Sequence, residues 1–380
     1  MNTCARGPLI AIAFVACPLL ALQAQLPIGR AALDGLDYPT IDFRPPIPDE
    51  YDVAGVPVLL LEDHALPLVS VYARFKGGYG LFGRESYAAG TALPSQIRYG
   101  GTKELSPDSV DKALEYYAIQ TSFGGAGEAL SATMNTLVQH LPAAMELWGA
   151  MLAEPAFDST QVEIWRARQR ESIRRRADNP GGLAFSEFNR LLYGDHPIGW
   201  EMEDTDLSPE LLSSQSLAEL HRRVVCRENL VLGLTGDMRW QDFRPLLEAF
   251  VRSLPACEGT VPPSPIPDIR EEPGVYLIEK DLEQSVIVMA HTTDVRLADD
   301  SSYYSATIGN SILGGGGFSS RILSRVRTEA GFAYSASSLW TMPRRYDGLL
   351  GAITRTSPEN TIPAIELILE TMEGLRTAPP

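Results

Sequence analysis

The sequence predicts an α+β fold built as two tandem related modules. The chain has 380 residues, which is too long for one ordinary hydrophobic core. A Pro-rich stretch at residues 256–273 separates two halves and is the predicted linker. Each half runs through strands, helices, further strands and an amphipathic helix. This shared order indicates a duplicated unit, although the halves share little residue-level similarity.

Hydrophobic periodicity predicts the main elements of the first half. Residues 68–76 alternate between apolar and polar side chains, which predicts a half-buried strand. Residues 86–98 have a helical composition despite Pro94, and Asp158 is placed to cap a long helix that ends near Ala177. The apolar run at residues 230–235 predicts another strand.

The second half repeats this order in fewer residues. Strands are predicted at residues 275–278 and 285–290, and a helix is predicted at residues 302–313. A further strand is predicted at residues 349–354. Residues 362–372 place apolar side chains at helical spacing, which predicts the amphipathic helix of this half.

Composition and charge exclude several classes of partner. The net charge of −16 argues against binding to nucleic acid or to an anionic membrane surface. An arginine cluster at residues 166–176 is interspersed with Glu163, Glu171 and Asp178. This mixture favours a helix face covered by salt bridges over a nucleic-acid site.

The first 24 residues are predicted to be a secretory signal peptide. Arg6 supplies the positive charge, and an apolar stretch at residues 9–22 is too short to span a bilayer. Cleavage is expected near Ala24, and lipoprotein processing at Cys17 is the alternative. We therefore expect an exported protein, periplasmic if the host is a Gram-negative bacterium. No other stretch is long enough to cross a membrane.

Two cysteines lie outside the signal segment, Cys226 and Cys257. In an oxidising compartment such a pair forms a disulfide if the two residues meet in the fold, which the sequence alone does not establish. Neither cysteine has the neighbours of a metal site, because no CxxC or Cys/His cluster surrounds it.

The segment at residues 313–334, LGGGGFSSRILSRVRTEAGFAY, is the most informative part of the chain. A glycine run enters a helix that carries Arg327 near its end, Gly331 is placed to stop the helix, and Tyr334 follows in a predicted strand. Arginine in a last helical turn and tyrosine in a strand are also common for structural reasons. The seven-residue spacing nevertheless allows a cation and a phenolic donor to face one cleft.

This segment resembles the second-domain signature of the pitrilysin/insulinase-type metallopeptidases, the inverzincins. The matching features are the glycine run, the Ser320-Arg321-Ile322 step, and Arg327 with Tyr334 seven residues later. The resemblance extends from about Val56 onward. It implies two modules, each a mostly antiparallel sheet with helices packed on one face. It also implies a first peptidase-like domain at residues 25–255 and a second at residues 274–380 that is incomplete at its C-terminus.

The resemblance assigns roles to the residues of this segment. In that family the Arg and Tyr line the substrate side of a zinc site that a different domain contributes. Arg327 and Tyr334 are therefore expected to assist catalysis. Substrate binding is expected of the residues between them and the preceding helix, namely Gly314, Gly315, Gly316, Gly317 and Phe318.

The zinc motif of the family is missing from the first half. An HxxEH helix in such peptidases precedes a Gly-Thr pair, which Gly101-Thr102 matches here. The three corresponding positions hold Ala92, Ser95 and Gln96, and no histidine lies between His64 and His140. We therefore expect no metal bound by this chain, since a zinc site needs several side-chain ligands and a carboxylate that activates water.

Two functions fit this pattern. The first is the substrate-binding, non-zinc subunit of a two-chain zinc metallopeptidase. Its partner would be a homologous HxxEH-bearing subunit that holds the zinc, in a heterodimer that cleaves unfolded peptides. Such a chain is not expected to be active alone. The alternative is a non-catalytic structural or interaction protein that keeps the fold without its chemistry.

Overall fold

The first sheet gathers strands from both ends of the first half of the chain. The computed structural model describes residues 43–270 and 272–377. The strands of this sheet are β1 (Asp49–Val53), β2 (Val56–Glu62), β3 (Leu68–Lys76), β4 (Gln120–Gly125), β5 (Ala129–Leu137) and β6 (Leu230–Gly236). Their order is β1-β2-β6-β3-β5-β4. Only β2 and β6 run parallel, and the other neighbours within this sheet are antiparallel.

Strand β3 shows how the alternating sequence fixes the two faces of this sheet. Val69, Val71 and Phe75 are buried on one face, whereas Tyr72 is exposed on the other. Val71 pairs with Leu234 of β6 and with a methionine of β5. A shift of one residue would turn every apolar side chain of the strand toward water, so the alternation also fixes the register.

Seven helices belong to the first half within the described residues. They are α1 (Tyr87–Tyr99), α2 (Pro107–Tyr116), α3 (Leu141–Ala153), α4 (Ser159–Arg175), α5 (Pro180–Tyr193), α6 (Ser214–Val224) and α7 (Trp240–Ser253). Helices α1, α3 and α7 contact the sheet, and α3 packs on α7 through Trp148 and Phe250, whose ring centroids lie 5.2 Å apart. The large core of the chain lies between these helices and the sheet.

The long helix α4 begins where its sequence predicts. The side chain of Asp158 accepts a hydrogen bond from the backbone N–H of Gln161 at 3.1 Å, which satisfies one free donor of the first turn. The arginine cluster on this helix is largely paired with carboxylates, as in the contacts of Arg174 with Glu171 and of Arg170 with Asp204. These contacts agree with a salt-bridged helix face.

The second sheet is smaller. It consists of β7 (Ser285–Thr293), β8 (Ala336–Thr341) and β9 (Gly348–Thr356) in the antiparallel order β7-β9-β8. Helices α8 (Ser301–Asn310), α9 (Arg321–Leu323) and α10 (Thr361–Thr377) belong to this half. Its core contains Leu313, Ile322, Val326, Ala352 and Ile368, and it is far smaller than the core under the first sheet.

The strand predicted at residues 275–278 is wrong. These residues have no regular secondary structure, and the side chains of Val275 and Leu277 are 99% and 89% exposed. Strand-forming side chains become a strand only when a neighbouring strand accepts their backbone hydrogen bonds. Within the described residues, no strand pairs with this segment.

Cys226 and Cys257 form a disulfide, which resolves the alternative that the sequence left open. The bridge joins the end of the α6 region to the start of the Pro-rich stretch, 31 residues further along the chain. Glu228 accepts a hydrogen bond from the backbone N–H of Cys257 at 2.8 Å. The bridge and this bond fix the chain as it leaves α7.

The predicted mixed α/β fold is confirmed, with a mostly antiparallel six-stranded sheet. Both sheets lie in one compact unit that begins at Ile47. The duplication of one module, and the linker at residues 256–273, stay predictions. Among the described residues, no helix is long and apolar enough to cross a membrane. The predicted signal segment, including Cys17, lies outside the described residues.

Candidate functional site

Arg327 lies on a short helical segment that ends at a glycine. Helix α9 runs directly into a π-helical stretch, Ser324–Glu329, that carries Arg327 in its last turn. Gly331 follows with φ +67°, a backbone conformation that few other residues adopt without strain. The N–H of Phe332 then donates to the carbonyl of Val326 at 2.9 Å, which closes the end of the helix. The predicted stop at Gly331 therefore occurs where the sequence places it.

Arg327 contacts two exposed aromatic rings. Its guanidinium carbon lies 4.5 Å from the ring centroid of Tyr334 and 5.0 Å from that of Phe318. These rings are 81% and 76% exposed, and Arg327 itself is half-buried. We call Phe318, Arg327 and Tyr334 the arginine stack. The structure thus brings together three residues for which the sequence predicts roles.

Tyr334 is held in place through its backbone. It lies two residues before β8, so the prediction that it belongs to the strand is wrong. The buried hydroxyls of Thr354 and Thr356 on β9 donate to the carbonyls of Ser335 and Phe332, at 2.8 and 2.7 Å. Ala333 is buried between these two anchors. The phenol therefore projects from a fixed backbone, which limits the entropy lost when it binds a ligand.

Phe318 is positioned by serine hydroxyls. Ser324 donates to the carbonyl of Phe318 at 3.2 Å, and the buried Ser320 donates to the carbonyl of Gly317 at 2.7 Å. These bonds tie the exposed loop to the helix that carries Arg327. Phe318 is predicted from the sequence to bind substrate, but nothing in the sequence indicates that its ring contacts Arg327.

The glycine run divides into two parts. Gly315, Gly316 and Gly317 are exposed, as expected of backbone that is open to a ligand. Gly314 is instead buried in a π-helical turn, where a Cβ atom would lie 2.2 Å from the backbone nitrogen of Ser338. The prediction that the backbone of Gly314 is open to a substrate is therefore wrong. Glycine is needed at this position because β8 packs directly against it.

The arginine stack suits the recognition of oxygen atoms. Apart from the two ring contacts, no described residue accepts a hydrogen bond from the N–H groups of Arg327 or forms an ion pair with it. Those N–H groups remain available to a carboxylate or a backbone carbonyl. The exposed phenol of Tyr334 adds a neutral hydrogen-bond donor beside the cation.

The positions that correspond to the zinc motif lie on α1. Ala92 is fully buried, and Gln96 is 2% exposed with a side-chain oxygen that has no hydrogen-bond partner among the described residues. Ser95 is partly exposed. Neither an alanine nor an amide supplies the imidazole or carboxylate ligands that zinc prefers. These residues do not fit a zinc ion.

Glu171 also has a structural role. It is partly buried on α4 and contacts two arginines. The hydrogen bond from Arg174 and the charge of Arg175 lower the pKa of this carboxyl below its ordinary value. Glu171 therefore belongs to the salt-bridged face of the helix.

Among the described residues, no histidine belongs to a group of three possible metal ligands. His221 is buried, and its Nε2 donates to the carbonyl of Leu152 at 2.7 Å. Burial lowers the pKa of His221 to about 4, so the imidazole is neutral near pH 7. His140 and His196 are partly buried, and His291 is exposed.

Within residues 43–270 and 272–377, the only group of three possible metal ligands is that of Cys226, Glu228 and Cys257. Both of its sulfur atoms are joined in the disulfide, so no thiolate is available to a metal.

One protein-family model matches the second part of the chain. Residues 212–380 match the model described as the peptidase M16 inactive domain. This match includes Arg327 and Tyr334 and confirms the family resemblance predicted from the sequence.

Sequence relatives of the chain include both peptidases and non-peptidases by name. It is 24% identical over 287 residues to the non-peptidase homolog YmxG of Helicobacter pylori, covering 75% of this chain and 65% of that protein. It is 23% identical over 282 residues to an uncharacterized zinc protease of Streptomyces coelicolor, covering 73% and 61%. The matches therefore span less than two thirds of these relatives' own lengths.

Solved structures have a similar fold. The peptidase M16 inactive domain from Pseudomonas fluorescens superposes with a TM-score of 0.77 at 21% identity, covering 88% of this chain and 80% of that one. The periplasmic protease PqqL from Escherichia coli gives a TM-score of 0.74 at 14% identity, covering 93% of this chain and 39% of that one. At these identities the likeness concerns the fold alone.

Proposed function

We propose that this chain is the substrate-binding, non-zinc subunit of a two-chain zinc metallopeptidase that degrades or processes peptides. The observation that carries the proposal is the arginine stack. Arg327 has free N–H donors beside the exposed phenol of Tyr334, on a chain whose own zinc positions are occupied by Ala92, Ser95 and Gln96.

Arg327 and Tyr334 have distinct tasks in this proposal. Arg327 binds a backbone carbonyl or a carboxylate of the peptide with its N–H groups. Tyr334 donates a hydrogen bond to the carbonyl oxygen of the bond to be cleaved, which gains negative charge in the transition state. One such donor contributes about 3 kcal/mol of transition-state stabilisation. The exposed backbone at Gly315, Gly316 and Gly317 leaves room for an extended peptide beside these groups.

The partner in this proposal is a homologous subunit with an HxxEH motif, which holds the zinc and activates water. The two chains form a heterodimer around an unfolded peptide. We also propose export of the chain to the periplasm of its host, with a lipid anchor at Cys17 as the alternative. A disulfide such as Cys226–Cys257 is typical of proteins in an oxidising compartment, which supports this location.

A reconstitution experiment tests the proposal. The chain is mixed with the HxxEH homologue from the same genome, and cleavage of a fluorogenic unfolded peptide is followed with and without a chelator. We expect no cleavage by this chain alone and chelator-sensitive cleavage by the mixture. Strong cleavage by the purified chain alone would refute the assignment of a non-zinc subunit.

A matched pair of tyrosine variants tests the role of Tyr334. Tyr334→Phe removes the donor and is expected to lower kcat of the mixture by about a hundredfold with little change in KM. Tyr116→Phe is the control, because Tyr116 on α2 is equally exposed, at 80% against 81%. Equal kcat for the two variants would remove Tyr334 from the proposed role.

The second candidate function is a non-catalytic structural or interaction protein. It is favoured by the relative in Helicobacter pylori whose name is non-peptidase homolog. In that case the chain binds a partner, but the complex cleaves no peptide and Tyr334→Phe changes nothing. The same reconstitution experiment therefore separates the two functions, provided that complex formation is measured by size-exclusion chromatography.

A further inference from the structure

A cleft opens between the loops of the two sheets, away from the residues of the arginine stack. It is formed by the loop after β3, the tip of the β4–β5 hairpin, the turn after α5, the Pro-rich stretch and the β8–β9 loop. The cleft has a cavity volume of about 200 Å³. This volume is small for a ligand site and suits a single side chain or a similarly small group.

The walls of the cleft are largely apolar. Tyr79 and Tyr346 contribute aromatic rings, and Pro197, Pro265 and Pro343 contribute rigid pyrrolidine rings. Burial raises the pKa of both tyrosines above the ordinary value, so their hydroxyls stay neutral. Such walls favour a ligand that carries an apolar group.

The acidic residue at the cleft is already neutralised. Glu128 forms an ion pair with Arg345 at 2.9 Å, and Arg345 also donates to the carbonyl of Ser264 at 2.7 Å. The cleft therefore offers no free carboxylate to a cationic ligand.

The histidine at the cleft is neutral and has both nitrogens engaged. His196 Nδ1 accepts from the backbone N–H of Ile198, and Nε2 donates to the carbonyl of Pro265, both at 3.3 Å. Burial lowers the pKa of this imidazole below its ordinary value. His196 thus contributes shape rather than charge.

Arg344 is the group that gives the cleft its net charge. It is exposed, lines the cleft, and has no hydrogen-bond or ion-pair partner among the described residues. Because Glu128 and Arg345 cancel and His196 is neutral, one positive charge remains. This local charge contrasts with the net charge of −16 for the whole chain.

We propose that this cleft binds a carboxylate carried on an apolar group, such as the C-terminal end of a short apolar peptide. Arg344 pairs with the carboxylate, and the tyrosine and proline walls contact the apolar part. The inference does not rest on the proposed peptidase function, because Arg344 lies outside the arginine stack. Binding is measured without the partner subunit, so the two proposals fail independently.

The test uses calorimetric titration of the full chain with N-acetyl-Leu-Phe and with the same peptide as its C-terminal amide. We expect the free acid to bind at least about tenfold more tightly than the amide, because only the acid pairs with a charged guanidinium. Arg344→Met is expected to remove this preference. Arg168→Met is the control, since Arg168 on α4 is also exposed and has no partner in the described structure.

Three results would overturn the proposal: equal binding of acid and amide, equal behaviour of Arg344→Met and Arg168→Met, or no saturable binding at about 10 mM peptide. Unfolding midpoints of both variants are measured alongside, so that a folding defect is not read as lost binding. A third probe, 3-phenylpropanoate, identifies the source of the ligand. Arg344-dependent binding of the peptide alone indicates a peptide C-terminus, and binding of both probes indicates small organic acids.

Discussion

The two sheets of this chain differ in the size of the hydrophobic core beside them and in whether they expose candidate site residues. The first sheet lies under a large core, and the chain that follows β6 is tied by a disulfide. Helix α1, which packs on this sheet, buries Ala92 and Gln96 at two positions that correspond to the zinc motif. The second sheet has a small core and exposes Tyr334 and Phe318 around Arg327. The larger hydrophobic core and the arginine stack thus lie in different parts of the molecule. The arginine stack lies on the part with the smaller core, which we expect to be the less stable one.

The disulfide gives the largest expected effect on this comparison. Replacing both Cys226 and Cys257 by serine should lower the free energy of unfolding by roughly 3–4 kcal/mol, because the bridge restrains the unfolded chain over a long loop. Hydrogen exchange is expected to rise in β6 and α7 more than in β8 and β9. Urea unfolding and exchange mass spectrometry measure the two quantities.

A reductant provides the control for this experiment. It should destabilise the wild type and leave the double serine variant unchanged. If both sheets lost hydrogen-exchange protection equally, the disulfide would not stabilise the first sheet in particular. That result would contradict the contrast drawn between the two sheets.

The buried imidazole of His221 gives the next effect. Its pKa is about 4 in the folded chain and about 6.5 when unfolded, so the unfolded chain binds the proton more readily between these values. The stabilisation is fully present above pH 6.5 and is lost as the pH falls toward 4. Over that range the wild type should lose roughly 3 kcal/mol more than His221→Gln.

His64 provides the contrast for the pH experiment. It is exposed, and its pKa is raised chiefly by a hydrogen bond to Asp237. A contribution from this residue has the opposite sign: it is present at low pH and is lost as the pH rises through the folded pKa. His64→Gln should therefore keep the acid loss of the wild type. Urea midpoints across the pH range test both variants, and an unchanged acid loss in His221→Gln would contradict the assignment.

Thr356 gives a smaller and local effect in the second sheet. Thr356→Val removes the hydroxyl that donates to the carbonyl of Phe332 and should cost about 1 kcal/mol. Exchange protection is expected to fall at residues 332–335, which hold Tyr334 in place. The control is Thr136→Val in the first sheet, because the buried hydroxyl of Thr136 has no partner among the described residues. If both variants behave alike, the threonine anchor is not what positions Tyr334.

Phe318 gives the smallest effect on stability. Phe318→Leu keeps an apolar side chain but removes the aromatic face, and exposed contacts of this kind contribute about 0.5–1 kcal/mol. The unfolding midpoint should hardly change, whereas the NMR signal of the Arg327 side-chain N–H should lose the shift that a nearby ring produces. Phe318→Tyr should keep that shift. A large loss of stability in Phe318→Leu would mean that the exposed stack is a structural element.

The sequence predicted the features that depend on neighbouring residues. Asp158 caps α4 as expected, because a helix cap needs only a side chain and the next turn of backbone. Arg327 and Tyr334 meet because seven residues around a single helix-to-strand corner leave little freedom. The absence of zinc ligands at Ala92 and Gln96 could likewise be read from the chain directly.

Contacts that depend on loop geometry or on packing between elements could not be predicted from the sequence. The contact of Phe318 with Arg327 depends on loop geometry fixed by serine hydroxyls. The burial of Gly314 depends on the approach of β8. The apolar run at residues 275–278 has the composition of a strand, but secondary structure of this kind forms only against a neighbour.

The apolar run at residues 275–278 has a consequence for the proteolysis of this protein. Proteases bind their substrates as extended chains, and an exposed segment without ladder hydrogen bonds already meets this requirement. Limited digestion should therefore cut first near Tyr276 or Leu277. One cut there would divide the polypeptide into a piece that keeps the Cys226–Cys257 bridge and a piece that keeps Arg327. Comparison of a native gel with a denaturing gel would reveal whether the two pieces stay associated without a covalent link.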